Sequence, residues 1–223
     1  MLNLQPLPYA IAPMQRPWDA RLARRLVAPL VDSWVTPNYL TTLRLAVGLA
    51  ATAAFVPGTY GWSNLAALLL VLSNFLDHTD GELARMSGKT SRIGHLYDLI
   101  SDAAVTILLF IAIGVGLPRK PGIELGFASV AIGMVAGTAI ALIFYLRMRI
   151  EAMHGKTATQ QASLGGFETE DVLYLLPLVT LSNSLVPMLL VASICAPLYA
   201  VWVVIDYRRV PRGYRRMATG VPG

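Results

Sequence analysis

A chain of 223 residues that is 55% apolar and only 14% charged departs from an average soluble domain, in which roughly 25% of residues are charged. This excludes a soluble enzyme, a disordered chain and a coiled coil, and the apolar residues gather in blocks near bilayer length. The single cysteine, Cys195, excludes an intrachain disulfide and a thiolate metal cluster, and a net charge of +5 on so apolar a chain marks a membrane face, with no nucleic-acid partner.

In chain order, residues 1–16 form an N-terminal extension. Residues 17–30 place Trp18, Leu22, Leu26 and Leu30 four apart with arginines between them, the pattern of an amphipathic helix lying in the membrane interface. Six apolar runs follow from about residue 39: 39–57, Trp62 toward Arg85, 93–117, 124–149, 171–183 and 185–206. Pro/Gly turns separate the first from the second and the third from the fourth. The fifth is short and holds Pro177. Residues 207–223 form a basic tail suited to anionic headgroups. The pattern predicts an all-α polytopic membrane protein, with six transmembrane helices preceded by the amphipathic helix. Residues 17–206 make one membrane domain.

With six spans both termini share a side. Of the 18 Lys and Arg residues, only Arg119 and Lys120 then fall on the other side. The positive side is cytoplasmic, which predicts cytoplasmic termini in a bacterial inner (plasma) membrane.

The polar residues with chemical content lie between 74 and 105. Asp77 and Asp80 are three apart, and Asp98 and Asp102 are four apart, so each pair shares a helix face. A turn near Ser87–Thr90 brings the two helices together antiparallel, and the four carboxylates can converge. Clustered carboxylates near hydrocarbon repel one another, and a hard divalent cation relieves this. Metal-assisted catalysis, a structural ion site and a cation pathway all fit the spacing alone. Gly81 and Ala84 leave little bulk beside Asp77 and Asp80, and Gly94 lets the next helix come close.

These residues complete a pattern, D-x-x-D-G-x-x-A-R, eight residues, G-x-x-x-D-x-x-x-D: Asp77, Asp80, Gly81, Ala84, Arg85, Gly94, Asp98 and Asp102. Thr36, Pro37, Asn38, Thr41 and Arg44 add T-P-N-x-x-T-x-x-R at the start of the first run. The chain resembles the CDP-alcohol phosphotransferases, integral membrane enzymes that make phospholipids. The resemblance implies two divalent metal ions, magnesium or manganese, held by Asp77, Asp80, Asp98 and Asp102. It implies Asp102 as general base on an acceptor hydroxyl that attacks the β-phosphorus of a CDP-linked donor and releases CMP. It places Gly81, Ala84, Asn38 and Thr41 near the nucleotide, gives Arg85 a charge-balancing role, and suggests a homodimer.

The pattern names a reaction class and not a substrate. The expected donor is CDP-diacylglycerol, with a small polar alcohol as acceptor. The alternative is a soluble CDP-headgroup with a lipid alcohol; a divalent-cation channel or transporter is the non-enzymatic reading. If the acceptor carries a phosphate, Arg92, Arg147, Arg149 and Lys156 are the candidates to bind it. Arg147 and Arg149, two apart, face different ways on a helix. The acidic Glu168, Glu170 and Asp171 suit helix capping, an amine or a polyol instead. His78, His95 and His154 are expected to support structure. Gly133 and Gly137 form G-x-x-x-G, a close-packing motif.

Overall fold

The computed structural model describes residues 18–117, 126–154 and 173–219. Among them the chain is all-helical. The helices are α1 (Trp18–Val27), α2 (Pro37–Phe55), α3 (Tyr60–Ser87), α4 (Arg92–Gly116), α5 (Ala128–His154), α6 (Leu176–Leu181) and α7 (Leu185–Thr219). A short 3₁₀ turn, Ala28–Leu30, follows α1.

The expectation of six transmembrane helices is corrected. Among the described residues three helices are long and apolar enough to cross a membrane: Arg92–Gly116, Ala128–Ile150 and Leu185–Arg208. The physical reasons differ from run to run. The fifth run yields only the six-residue α6, about 9 Å long at 1.5 Å per residue. α2 has 19 residues but opens with Asn38, Thr41, Thr42 and Arg44. α3 has 28 residues, and its carboxyl-terminal half carries Asp77, Asp80, Glu82 and Arg85. Without six crossings, the parity argument that set both termini on one face no longer holds. The helix predicted at 185–206 continues through the basic tail to Thr219.

Pro37 opens α2, where its fixed φ and missing N–H are tolerated. α3 ends on Gly88, whose φ of +68° is the left-handed cap that glycine adopts without strain. Ser91 caps α4 by accepting a 2.9 Å hydrogen bond from the Gly94 amide. These two caps make the sharp turn expected near Ser87–Thr90. Lys89 fixes that turn, donating to the Ser33 carbonyl at 2.7 Å in the α1–α2 connection.

α2 packs on α3 and α4, α4 on α5, α5 on α7, and α1 and α6 on α3. One apolar cluster joins Phe55, Ala66, Leu70, Leu109, Ile113, Leu117 and Leu189. A second, between α5 and α7, holds Ile143, Leu146, Ile150, Ala200 and Val203. α1 buries Ala23 and Val27 and leaves Leu22 and Leu26 exposed. The neighbouring stripe of an interfacial helix is thus open on its outer side.

Gly133 and Gly137 bring α5 against α4 within the chain. A Cβ at Gly133 would overlap the Phe110 carbonyl, and one at Gly137 would stand 3.0 Å from Ile107 Cα. Gly133→Leu is therefore expected to lower stability by about 1–3 kcal/mol through overpacking. Gly61→Ala, which meets nothing within 4 Å, should not. Thermal unfolding of the two variants in one detergent checks this.

Candidate metal centre

Three helix ends build the site. The first two turns of α2, the carboxyl-terminal half of α3 and the amino half of α4 meet where Asp77, Asp80, Asp98 and Asp102 all face Arg44. Its guanidinium lies at their centre, and the residue is 4% exposed. Arg44 Nη1 is 2.9 Å from Asp77 Oδ1 and also bonds Asp102 Oδ1. Arg44 Nη2 donates to Asp98 Oδ1 at 2.8 Å and to the Asp98 main-chain carbonyl at 3.0 Å. Arg44 Nε stands 3.7 Å from Asp80 Oδ2 and makes no hydrogen bond among the described residues. Ser73 Oγ donates to the Arg44 carbonyl at 2.9 Å, tying α3 to this turn of α2.

The four aspartates are not equivalent. One oxygen from each of Asp77, Asp98 and Asp102 lies within 4.8 Å of the others. Asp80 stands outside that trio, buried, and accepts a 2.7 Å hydrogen bond from the buried Thr41 hydroxyl. The Asp102 side chain is the most open of the four, at 44% exposure against 7% for Asp80. Thr41 and Arg44, three apart on α2, share the face that meets the acids.

Four carboxylates around one guanidinium leave a formal charge of −3. Oxygen donors at this spacing with excess negative charge are what a hard divalent cation needs. The donor set therefore fits a hard divalent cation at Asp77, Asp98 and Asp102.

The other predicted residues fall into two groups. Asn38 sits at the site's edge, and a Cβ on Gly94 would lie 2.8 Å from its Oδ1. Gly94 therefore allows the close approach of α4 to α2 that its position suggested. The nearest atoms to a Cβ on Gly81 would belong to the Arg85 guanidinium, no nearer than 3.5 Å. The backbone of α3 is thus approachable beside Asp80, and Ala84 lies one turn on. Arg85 does not join the aspartates. It is exposed and pairs with Glu82 at 2.9 Å.

Three of the four basic candidates for an acceptor phosphate lie among the described residues. Arg92 and Arg149 are exposed on α4 and α5. Arg147 is half-buried, bonded to the Tyr199 hydroxyl, with its guanidinium carbon 5.3 Å from that ring's centre. The two arginines of α5 do face different ways. Lys156 and the Glu168–Asp171 segment lie outside the described residues. His78 is within electrostatic reach of Asp102, and His95 is exposed.

Sequence reasoning missed the burial of two charges. Arg44 appears there as a member of the T-P-N-x-x-T-x-x-R motif, with no role at the acids. Glu82 occupies a variable position of the pattern, yet it is 3% exposed and pairs with Arg85 and, at 3.9 Å, with Arg24 of α1. It joins α1 to the helix that carries Asp77 and Asp80.

Comparison with known proteins shows the family. The CDP-alcohol phosphatidyltransferase family pattern matches residues 34–206. The chain is 35% identical to archaetidylinositol phosphate synthase of Pyrococcus horikoshii over 106 residues, 47% of this chain and 54% of that protein. It is 35% identical to cholinephosphotransferase 1 of Danio rerio over 92 residues, 38% of this chain and 24% of that one. It is 33% identical to CDP-diacylglycerol–glycerol-3-phosphate 3-phosphatidyltransferase of Cereibacter sphaeroides over 82 residues, 36% of this chain and 37% of that one. In all three the chain covers less than two thirds of the relative's length.

Proposed function

The chain belongs to the CDP-alcohol phosphatidyltransferase family, and from that premise we propose that it transfers a substituted phosphoryl group from a CDP-linked donor to an alcohol. The observation that carries this reading is the convergence of Asp77, Asp98 and Asp102. These three would hold a divalent cation, magnesium or manganese. Asp80 is the fourth ligand that the family resemblance implies, for a second ion. When bound, the metal neutralises phosphate oxygens and stabilises charge that develops in the transition state.

The chain's own residues do the rest. The open backbone at Gly81 and Ala84 receives the nucleotide, with Asn38 and Thr41 beside it. Thr41 fixes the rotamer of Asp80 by its hydrogen bond. Asp102 accepts the proton of the acceptor hydroxyl. It is the most solvent-open of the four acids, so an acceptor hydroxyl can reach it. The acceptor oxygen forms a bond to the β-phosphorus, the bond from that phosphorus to the CMP oxygen breaks, and CMP leaves. Arg85 pairs with Glu82, and its Nη2 stands 3.5 Å from where a Cβ on Gly81 would lie, so it balances charge beside the nucleotide.

For the donor we favour CDP-diacylglycerol, which the Cereibacter sphaeroides relative carries in its name. Its headgroup would reach acids gathered at one end of the bundle while its tails stay in hydrocarbon. The basic residues at that end, Lys89, Arg92, Arg147 and Arg149 among them, favour the cytoplasmic face. The similarity to a cholinephosphotransferase supports a second reading, a soluble CDP-headgroup with a lipid alcohol. A CMP-release assay separates the two. Purified protein with manganese should release CMP with CDP-diacylglycerol and one small polar alcohol. Release only with a soluble CDP-headgroup and diacylglycerol would reverse the donor assignment. No release with any pair would remove the transferase reading.

A further inference from the structure

We propose that Arg44 is a resident countercharge that competes with the metal: its guanidinium holds the aspartates together in the metal-free protein and must release Asp77 and Asp102 when a divalent cation enters. The proposal rests on the metal site argued above and concerns a residue outside the acid pattern.

Geometry carries it. A single nitrogen, Arg44 Nη1, touches Asp77 Oδ1 at 2.9 Å and Asp102 Oδ1 as well. It therefore lies between two members of the carboxylate trio. A magnesium-sized ion sits about 2.0–2.1 Å from each ligand oxygen, so it cannot share that place with Nη1. Two cations so close also repel one another. The guanidinium has a tether that survives the exchange. Nη2 bonds the Asp98 main-chain carbonyl at 3.0 Å, an atom outside the carboxylate set. The Ser73 hydroxyl fixes the arginine's backbone. One end of the side chain is anchored while the other occupies the site. The device also answers a folding problem. Without a cation the four buried or half-buried acids repel, and Arg44 is the positive group among them. Arg44 is thus a positioning residue, acting through the aspartates.

The test is manganese binding to purified full-length protein, read by loss of the free-ion electron paramagnetic resonance signal, alongside melting temperature in chelator. Arg44→Gln should bind manganese about tenfold more tightly than the wild type, because the competing charge is gone. In chelator it should melt lower than the wild type, and manganese should raise its melting temperature by more. Arg44→Lys, which keeps the charge but not the fork of donors, should lie between the two and serves if Arg44→Gln does not fold without metal. Equal or weaker binding in folded Arg44 variants, with binding still lost in Asp77→Asn, would overturn the competition and leave the metal site standing. Binding that ignores Asp77→Asn, or no binding in any protein, would overturn the metal site and this inference with it.

Discussion

Asp102→Asn is expected to lower turnover by about 10²–10⁴-fold, the range that general-base catalysis supplies, while much of the donor affinity survives. An asparagine keeps one carbonyl oxygen and nearly the volume of the aspartate. The cluster should therefore keep its shape, with Asp77, Asp80 and Asp98 unchanged. The amide cannot take a proton from an attacking hydroxyl, and that loss appears in kcat. Paired measurements of CMP release and of donor affinity in manganese check the assignment. Turnover near wild type would remove Asp102 as the base. Joint loss of turnover and binding would make it chiefly a metal ligand.

The acid pattern was legible because its physics is local. Spacings of three and four put each pair of aspartates on one helix face, and a glycine-capped turn brings the faces together. Helix positions were legible for the same reason, since apolar runs and Pro/Gly breaks are chain-local signals. The number of membrane crossings was not. Counting apolar runs treats α2 and α3 as uniform. Yet α2 carries Arg44 inside its run, and α3 carries charged residues through its carboxyl-terminal half. The six-residue α6 shows the other failure, where an apolar stretch supplies core packing against α3 and no span.

Arg44 was harder to see because a charge tally weighs every arginine alike. The signal was present. Arg44 lies inside an apolar run, where most other basic residues lie at the ends, and it stands three residues from a threonine of the same motif. Four acids inside a bundle need an internal cation, and Arg44 is placed to supply it. The contact of Arg147 with Tyr199 is likewise not local: it spans 52 residues, and no chain-local pattern reveals it.

Asp77→Ala should abolish metal-dependent donor binding, with affinity falling by at least about 100-fold. A carboxylate about 4 Å from a unit charge, at an effective dielectric near 20, contributes about 4 kcal/mol, and a divalent ion feels more. Asp77 is one of the three acids whose oxygens lie within 4.8 Å of one another, so its loss leaves two. Stability distinguishes this from a structural role. Four carboxylates crowd one guanidinium, and Arg44 keeps Asp98 and Asp102 as partners when Asp77 is gone. Removing Asp77 relieves repulsion, so the melting temperature in chelator should hold or rise. The stabilisation that manganese gives the wild type should disappear. Calorimetric titration with donor plus magnesium, run beside thermal unfolding with and without manganese, reads both quantities. Unchanged metal-dependent affinity would take Asp77 out of the metal centre. A large fall in the chelator melting temperature would recast it as a structural partner of Arg44.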